Sequence, residues 1–158
     1  MKTQISGRST AFLIKTFTFI FVLSGSLSAK NLLFLQSDFS QKDSAVCEMK
    51  LAALMVQPEI RIIDGTHEIE RQNIVEGAYR LFQVAFMSPA DVVFVSVVDP
   101  GVGTNRRAIV ARAKAGYFIV TPDNGTISVV DRWQGIESAV QIDIDKWRRP
   151  NSVGLNTF

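Results

Sequence analysis

The chain has 158 residues, of which 47% are hydrophobic and 20% are charged, a mix typical of one compact globular domain and not of a disordered chain. Three of its 17 basic residues lie in the first 29 positions, which contain no acid, so the remainder holds 14 basic against 15 acidic residues. This balance excludes the clustered positive charge that nucleic-acid binding needs, and we expect no nucleic-acid partner.

Residues 1–29 differ in character from the rest of the chain. The segment begins basic and polar, continues with an apolar run at 17–23, and ends in small residues at 24–29. This order is typical of a secretory signal. The apolar run is short for a membrane span, and Lys15 interrupts its extension. A cleaved signal, an uncleaved membrane anchor and an extension without a targeting role all remain open. We expect an exported protein, periplasmic or extracellular, whose folded domain covers 30–158.

Beyond the leader, strand patterns alternate with helix patterns. The predicted strands cover 31–36, 60–63, 92–98, 107–112 and 117–120, with a further candidate at 140–144, and the predicted helices cover 44–56, 74–86 and 126–133. The stretch 92–98 is the richest in β-branched residues, which makes it the best candidate for a central strand. The alternation predicts an α/β fold with a mainly parallel central sheet flanked by helices.

The single cysteine, Cys47, lies near the start of the first predicted helix. One cysteine excludes an internal disulfide and any cysteine-rich metal site. We predict a small buried hydrophobic side chain at this position, the alternative being a reactive thiol.

Three predicted strands end in loops that carry an acid. Asp38, Asp64 and Asp99 follow the first, second and third of these strands. In open α/β sheets, ligands bind beyond the carboxyl ends of the strands. We therefore expect the three carboxylates to converge on one edge of the sheet.

The loop after the third strand, residues 97–107, is the most informative segment. Two glycines and a proline let the backbone turn tightly there and approach a ligand closely. Asp99 and Arg106 stand at its two ends, where a loop-stabilising salt bridge and a functional pair are both open. Arg106 occupies the place of the third glycine of a dinucleotide-binding fingerprint, and the chain has no Gly-Lys-Ser/Thr. These departures argue against hydride transfer and exclude a P-loop.

Several stretches in register resemble the S-adenosylmethionine hydrolases (hydroxide adenosyltransferases), relatives of the fluorinating and chlorinating enzymes. The matching stretches are 37–43 (SDFSQKD), 63–69 (IDGTHEI), 76–78 (EGA), 97–107 (VVDPGVGTNRR) and 121–125 (TPDNG). The resemblance covers nearly the whole chain from 31 to 158. It implies a Rossmann-like N-terminal domain, followed in the family by a smaller β-barrel domain that we expect to be missing here. For a full-length protein it also implies a homotrimer with the substrate between subunits.

The resemblance implies a role for each matching acid. Asp38 corresponds to the carboxylate that holds the ribose hydroxyls, the alternative from its residue type being a helix N-cap. Asp43 corresponds to a residue that helps to hold the methionine portion. Asp99 and Arg106 correspond to two members of the Asp-Arg-His set that positions the attacking water. Because the halogenating enzymes have a tyrosine at the Asp99 position, the aspartate favours water over halide as the nucleophile.

Two further residues of these stretches are Asn124 and His67. Asn124, in the Asp-Asn-Gly segment, suits a tight turn and the border of the substrate pocket equally well. His67 is the only histidine, and we interpret it as a structural residue at a strand end, because the family's catalytic histidine lies later in the chain.

The implied activity is hydrolysis of S-adenosylmethionine to adenosine and methionine, with S-adenosylmethionine as substrate and no cofactor or metal. The third catalytic residue of the family lies in a His-Gly-Arg-Asp segment directly after a Thr-Phe like that at 157–158, where this chain stops. Ser40 and Gly65 also depart from the family pattern. We expect little turnover from a complete chain and hydrolysis from a longer product. An exported nucleoside-binding module without catalysis and an inactive gene fragment remain as alternatives.

Overall fold

The computed structural model describes residues 31–42 and 44–147, which form one sheet and four helices. In chain order the elements are β1 (Leu32–Ser37), α1 (Ala45–Val56), β2 (Arg61–Thr66), α2 (Ile74–Ala85), β3 (Val93–Val97), β4 (Ala108–Ala113), β5 (Phe118–Pro122), α3 (Ser128–Gln134), β6 (Ile136–Gln141) and α4 (Ile144–Trp147). The predicted leader at 1–29 lies outside the described residues. None of the helices in the described part of the chain has the length and apolar character needed to cross a membrane.

The six strands are arranged in the order β2-β1-β3-β5-β4-β6. Strand β1 pairs in parallel with β2 and β3, and β3 pairs in parallel with β5. Strand β4 runs antiparallel to both of its neighbours, β5 and β6. Five strands therefore share one direction, and β3 lies inside the sheet, which confirms the predicted α/β fold with a mainly parallel sheet.

The last strand differs from its prediction. The sequence indicated a candidate strand at 140–144, whereas β6 ends at Gln141 and Ile144 already begins α4. Gly135 ends α3 with a φ of 75°, a conformation that glycine adopts easily, and the chain turns there directly into β6. Strand β6 begins early because its pairing with β4 extends back to Ile136, beside Ala113.

The main core lies between one face of the sheet and the helices α2 and α3. Its members are buried side chains from both helices and from the inner strands, namely Phe34, Leu81, Ala85, Val92, Phe94, Ala111, Ala113, Tyr117, Ile119 and Val130. The Phe94 ring is at the centre, 5.2 Å from the ring centroids of both Phe34 and Tyr117. A Cβ atom on Gly77 would lie 2.9 Å from Val98, so this glycine lets α2 approach the end of β3 closely.

Helix α1 lies over the opposite face of the sheet. Asp64 stands beside Leu35 in the register of β1 and β2, on the face opposite to Phe34, and Lys50 of α1 reaches it. The helix is packed much more lightly than α2: Val46 is its one buried residue, and its apolar side chains Leu51, Leu54, Met55 and Val56 are exposed. Cys47 is exposed as well. The predicted burial of Cys47 is therefore wrong, because α1 turns that side toward solvent.

Candidate active site

The ends of three adjacent parallel strands bring most of the predicted site residues together. Ser37 is level with Val97 in the pairing of β1 with β3, and the backbone N–H of Asp38 donates to the carbonyl of Val97 at 3.3 Å. Asp38 and Asp99 therefore follow neighbouring strands at the same edge of the sheet. Asn124 follows β5, which lies on the other side of β3.

Asp64 does not join this edge, and the expected convergence of three carboxylates is wrong for this residue. It lies inside β2, which continues to Thr66. Its carboxylate is bound by Lys50 Nζ at 2.5 Å on one oxygen and lies 3.3 Å from His67 Nε2 on the other. Because the predicted strand ended at residue 63, the prediction placed Asp64 in the loop after the strand, whereas it lies within β2.

Asp99 is the most buried acid of the site. Its side chain has no exposed surface, and its Oδ1 accepts a hydrogen bond from the Gly101 N–H at 2.8 Å. Arg106 Nε lies 2.9 Å from the same oxygen, in an ion pair without the alignment of a hydrogen bond. Among the described residues, the other oxygen, Oδ2, has no hydrogen-bond partner although it is buried. Buried carboxylate oxygens are rarely left unpaired in folded proteins, so this atom is the most informative of the site.

The loop between Asp99 and Arg106 is held mainly by its own atoms. The Thr104 hydroxyl donates to the carbonyl of Gly101 at 2.6 Å, and the Thr104 N–H donates to the same carbonyl at 3.1 Å. A Cβ atom on Gly101 would lie 2.5 Å from Arg106 Nη2, so only glycine leaves room for the guanidinium. The predicted pairing of Asp99 with Arg106 across this loop is confirmed.

Asn124 makes the tight turn that was one of its two predicted roles, and its place at the border of the substrate pocket stays a prediction. Its Oδ1 accepts from the N–H and the hydroxyl of Thr126, at 3.1 and 2.6 Å, which makes a side-chain turn. Its Nδ2 donates to the carbonyl of Val98 at 2.8 Å and lies 3.5 Å from Asp99 Oδ1. The same amide thus shapes the turn after β5 and supports the end of β3.

Asp38 is half-buried and is fixed from a distant part of the chain. Its Oδ2 accepts a hydrogen bond from the backbone N–H of Gln72 at 2.7 Å. Asp38 is not a helix N-cap, since α1 begins at Ala45 and Ser44 holds the cap position. Gln72 is a contributor that sequence reasoning missed: it has a φ of 65°, and its type gives no signal of this role. The nearest signal was the neighbouring Asn73, whose side chain caps α2 by accepting from the Glu76 N–H at 3.0 Å.

His67 is buried directly after β2, as predicted for a structural residue at a strand end. Its Nδ1 is 2.8 Å from Ser37 Oγ, and its Nε2 faces Asp64. Partial burial of Asp64 would raise the pKa of its carboxyl, but hydrogen bonds from Lys50 and His67 outweigh that effect and lower the pKa below 3.8. Asp64 is thus an ionised anchor for His67 at neutral pH.

The described site includes neither Asp43 nor a group of metal ligands. Asp43, expected at the methionine portion of the substrate, lies outside the described residues. Within 31–42 and 44–147, no three His, Cys, Asp or Glu side chains come together in the way metal ligands do.

The sequence of the chain is similar to those of several known proteins. A family model described as the SAM hydroxide adenosyltransferase N-terminal domain matches residues 33–157. The chain is 35% identical over 122 residues to an (R)-S-adenosyl-L-methionine hydrolase of Methanocaldococcus jannaschii, covering 75% of this chain and 46% of that relative. It is 40% identical over 104 residues to a hydrolase of the same name from Salinispora arenicola, covering 65% and 38%. A fluorinase of Actinopolyspora mzabensis is 24% identical over 142 residues, covering 76% and 47%.

Solved structures show the same similarity. An uncharacterised conserved protein from Thermotoga maritima superimposes with a TM-score of 0.70 and 33% identity, over 72% of this chain and 44% of that one. A conserved hypothetical protein from Thermus thermophilus gives a TM-score of 0.64 and 32% identity, over 72% and 47%. The chain therefore spans less than half the length of these relatives.

Proposed function

This chain belongs to the SAM hydroxide adenosyltransferase family, and we propose that it supplies the part of a hydrolase site that holds the ribose of S-adenosylmethionine and orients the attacking water. The observation that carries the proposal is the unpartnered Oδ2 of Asp99. This oxygen belongs to a fully buried carboxylate whose other oxygen is already fixed by Gly101 and Arg106. It lies at the end of β3, beside the strand that ends at Asp38.

In this reaction the main task of the protein is to position the water and the substrate. The sulfonium of S-adenosylmethionine is a good leaving group, so the C5′–S bond breaks as a water oxygen forms the C5′–O bond. Holding the water opposite the sulfur is a proximity effect, because it brings the two reactants together in the geometry that the reaction needs. Asp99 Oδ2 accepts a hydrogen bond from that water and takes up its proton, which then passes to solvent. The products are adenosine and methionine.

Arg106 and Gly101 serve this role by fixing Asp99. The guanidinium compensates the charge of the buried carboxylate, and the Gly101 N–H holds Oδ1. With Oδ1 occupied, the remaining acceptor capacity of the carboxylate is directed through Oδ2.

Asp38 is the proposed ribose ligand. The Gln72 N–H uses one lone pair of its Oδ2, which leaves acceptor sites on both oxygens for the two hydroxyls of a cis-diol. Asp38 is half-buried, so a ligand reaches it from solvent. Asp43 and Asn124 are proposed as further substrate contacts on the family resemblance, and Asn124 already touches the end of β3.

Export through residues 1–29 and assembly into a trimer belong to the same proposal. The leader pattern supports the first and the family resemblance supports the second.

The proposal is tested by incubating the protein, expressed with any coding sequence that follows residue 158, with S-adenosylmethionine and measuring adenosine and methionine by chromatography. Asp99→Asn keeps the size of the side chain and removes the charge, and we expect it to lower the rate by about 100-fold or more. Asp123→Asn is the matched control, since Asp123 also pairs with an arginine, Arg107, but is partly exposed. Equal rates for Asp99→Asn and the control would contradict the proposed role. Calorimetric binding of adenosine without any turnover by the wild type would favour the non-catalytic binding module.

A further inference from the structure

A network of four side chains lies next to residues 38–42, which follow β1 and are called the Asp38 loop below. Ser37 Oγ lies 2.8 Å from His67 Nδ1, His67 Nε2 lies 3.3 Å from Asp64 Oδ1, and Lys50 Nζ lies 2.5 Å from Asp64 Oδ2. Ser37 and His67 are buried, with 0% and 1% of their surfaces exposed. This network of side chains links β1, β2 and α1, which are separate in sequence.

The partners favour one arrangement of protons in this network. An ionised Asp64 only accepts hydrogen bonds, so the facing nitrogen of His67, Nε2, carries the proton. In the neutral imidazole, Nδ1 is then an acceptor, and the Ser37 hydroxyl donates to it. The Ser37 oxygen in turn faces the Phe39 N–H, at 3.4 Å. Each group has one direction of donation, from the Asp38 loop toward Asp64.

The order serine, histidine, aspartate resembles that of a nucleophilic triad, but the contacts of the serine argue against this role here. The Ser37 hydroxyl is buried, is engaged by His67 Nδ1 and faces the Phe39 N–H, which leaves no open side for a reacting atom, whereas the buried Oδ2 of Asp99 is unpartnered. A nucleophile must lie within contact distance of the reacting atom. Any effect of this network of side chains on the site must therefore be transmitted by the residues next to it.

Those neighbours belong to the Asp38 loop. Ser37 directly precedes Asp38, and the carbonyl of His67 accepts from the Ser40 N–H at 2.7 Å on the other side of it. His67 therefore binds the residues that flank Asp38 at both ends, once with its ring and once with its backbone. Further along the same segment, the Gln72 N–H binds the Asp38 carboxylate itself.

We propose that His67, with Nε2 facing Asp64 and Nδ1 facing the Ser37 hydroxyl, is a positioning residue that sets Asp38 for its contact with the ribose. This inference rests on the proposed function, because it assumes that Asp38 is the ribose ligand. It assigns to His67 and Ser37 an effect on nucleoside affinity although neither residue touches the nucleoside.

The first test is nuclear magnetic resonance of the full chain labelled with ¹⁵N. Because His67 is the only histidine, long-range nitrogen–proton correlations report one imidazole without ambiguity. We expect Nε2 to be protonated and Nδ1 to be unprotonated at neutral pH, with both signals shifting when adenosine is added. Protonation at Nδ1 would overturn the proposal, because the Ser37 hydroxyl then has no acceptor on the ring.

The second test separates the two arms of His67 with a matched pair of variants. In His67→Asn, the amide oxygen takes the position of Nδ1 and keeps the hydrogen bond from Ser37, while the contact with Asp64 is lost. In His67→Gln, the amide nitrogen takes the position of Nε2 and keeps the contact with Asp64, while the bond from Ser37 is lost. Each variant loses one hydrogen bond, so thermal unfolding provides the comparison of stability and adenosine calorimetry the comparison of affinity.

We expect His67→Asn to bind adenosine within about three-fold of the wild type and His67→Gln to bind about ten-fold more weakly, the effect of one hydrogen bond. Ser37→Ala removes the same Ser37–His67 hydrogen bond by changing the serine, so its adenosine affinity should equal that of His67→Gln. If His67→Gln does not fold, Ser37→Ala takes its place in the comparison. Two results would overturn the inference while leaving the proposed function intact. In the first, both His67 variants keep the adenosine affinity of the wild type. In the second, both lose affinity equally, together with stability. A wild type that binds no adenosine would overturn both, and that result is seen before any variant is made.

Discussion

The loops that follow β1 and β3 lie side by side and are held in opposite ways. The loop from Asp99 to Arg106 is fixed by contacts within itself, such as the Asp99–Arg106 pair and the Thr104–Gly101 hydrogen bonds. The Asp38 loop is fixed by residues 30 or more positions away, through Ser37–His67 and Asp38–Gln72. Most contacts of the first loop come from a few consecutive residues, whereas those of the second also need the segment around β2 to lie beside β1.

This difference predicts where substitutions act. In the Asp99 loop, changes within the loop itself should have the largest effects. For the Asp38 loop, changes in β2 and in the segment that follows it should change the stability of the fold without any contact with the ligand. Four substitutions test this contrast, two in each region.

The largest effect is expected for Arg106→Ala. The variant leaves the buried Asp99 carboxylate without its ion pair, which should lower the free energy of unfolding by about 3 kcal/mol. Arg107→Ala is the matched control: its pair with Asp123 is exposed, so a loss of less than about 1 kcal/mol is expected. Denaturant unfolding measures both. Equal losses would show that the Asp99 loop does not depend on its internal pair.

Gly101→Ala should have the next largest effect. Its new methyl group would collide with the Arg106 guanidinium, and overpacking of this kind costs about 1–3 kcal/mol. Hydrolysis of S-adenosylmethionine should fall as well, because Arg106 can no longer hold Asp99. Pro100→Ala, at an exposed position of the same loop, should leave both quantities nearly unchanged. Wild-type turnover by Gly101→Ala would contradict the close packing of this loop.

Gln72→Gly should act in the opposite direction. Glycine adopts the φ of 65° without the steric cost that a side chain brings, so we expect a gain of about 0.5–1 kcal/mol in the free energy of unfolding. The variant keeps the backbone N–H that binds Asp38, and adenosine affinity should not change. Gln72→Ala is the control, since it retains Cβ and should give no gain. A gain with alanine as large as with glycine would refute the argument from backbone conformation.

The smallest effect is expected for Asp64→Asn, and it should depend on pH. Because the pKa of Asp64 is lowered in the folded chain, its ionised form stabilises the fold above pH 3.8, and this contribution is lost as the pH falls through the lower, folded value. At pH 7 the variant should be less stable by under about 1 kcal/mol, since the carboxylate is partly exposed.

Thermal unfolding of the two proteins should therefore converge as the pH falls below 3.8. Glu59→Gln, at an exposed position before β2, provides the control without an ion pair. A difference between wild type and Asp64→Asn that stays constant with pH would contradict the assigned anchor role of Asp64.

Much of the fold and half of the site follow from local sequence. The β-branched run around Val95 predicted an inner strand, and the Asp99–Arg106 segment predicted a tight loop with its acid and base facing each other. Hydrophobic periodicity did not reveal which side of α1 meets the sheet, so Cys47 was placed on the wrong side. The end of β2 was missed for a similar reason, since its last residues, Asp64 to Thr66, are polar or lack a side chain and extend only by pairing with β1.

The sequence by itself determined the order of strands and helices, the family, and the pairing of Asp99 with Arg106, because each depends on residues close together in the chain. The tertiary structure alone decided that Asp64 turns away from the site to Lys50, that Gln72 binds Asp38, and that the only histidine lies under the Asp38 loop. The physical reason is the same in each case. These contacts form between strands and loops brought together by sheet pairing, and no local pattern specifies which backbone N–H or imidazole nitrogen will face a given carboxylate or hydroxyl.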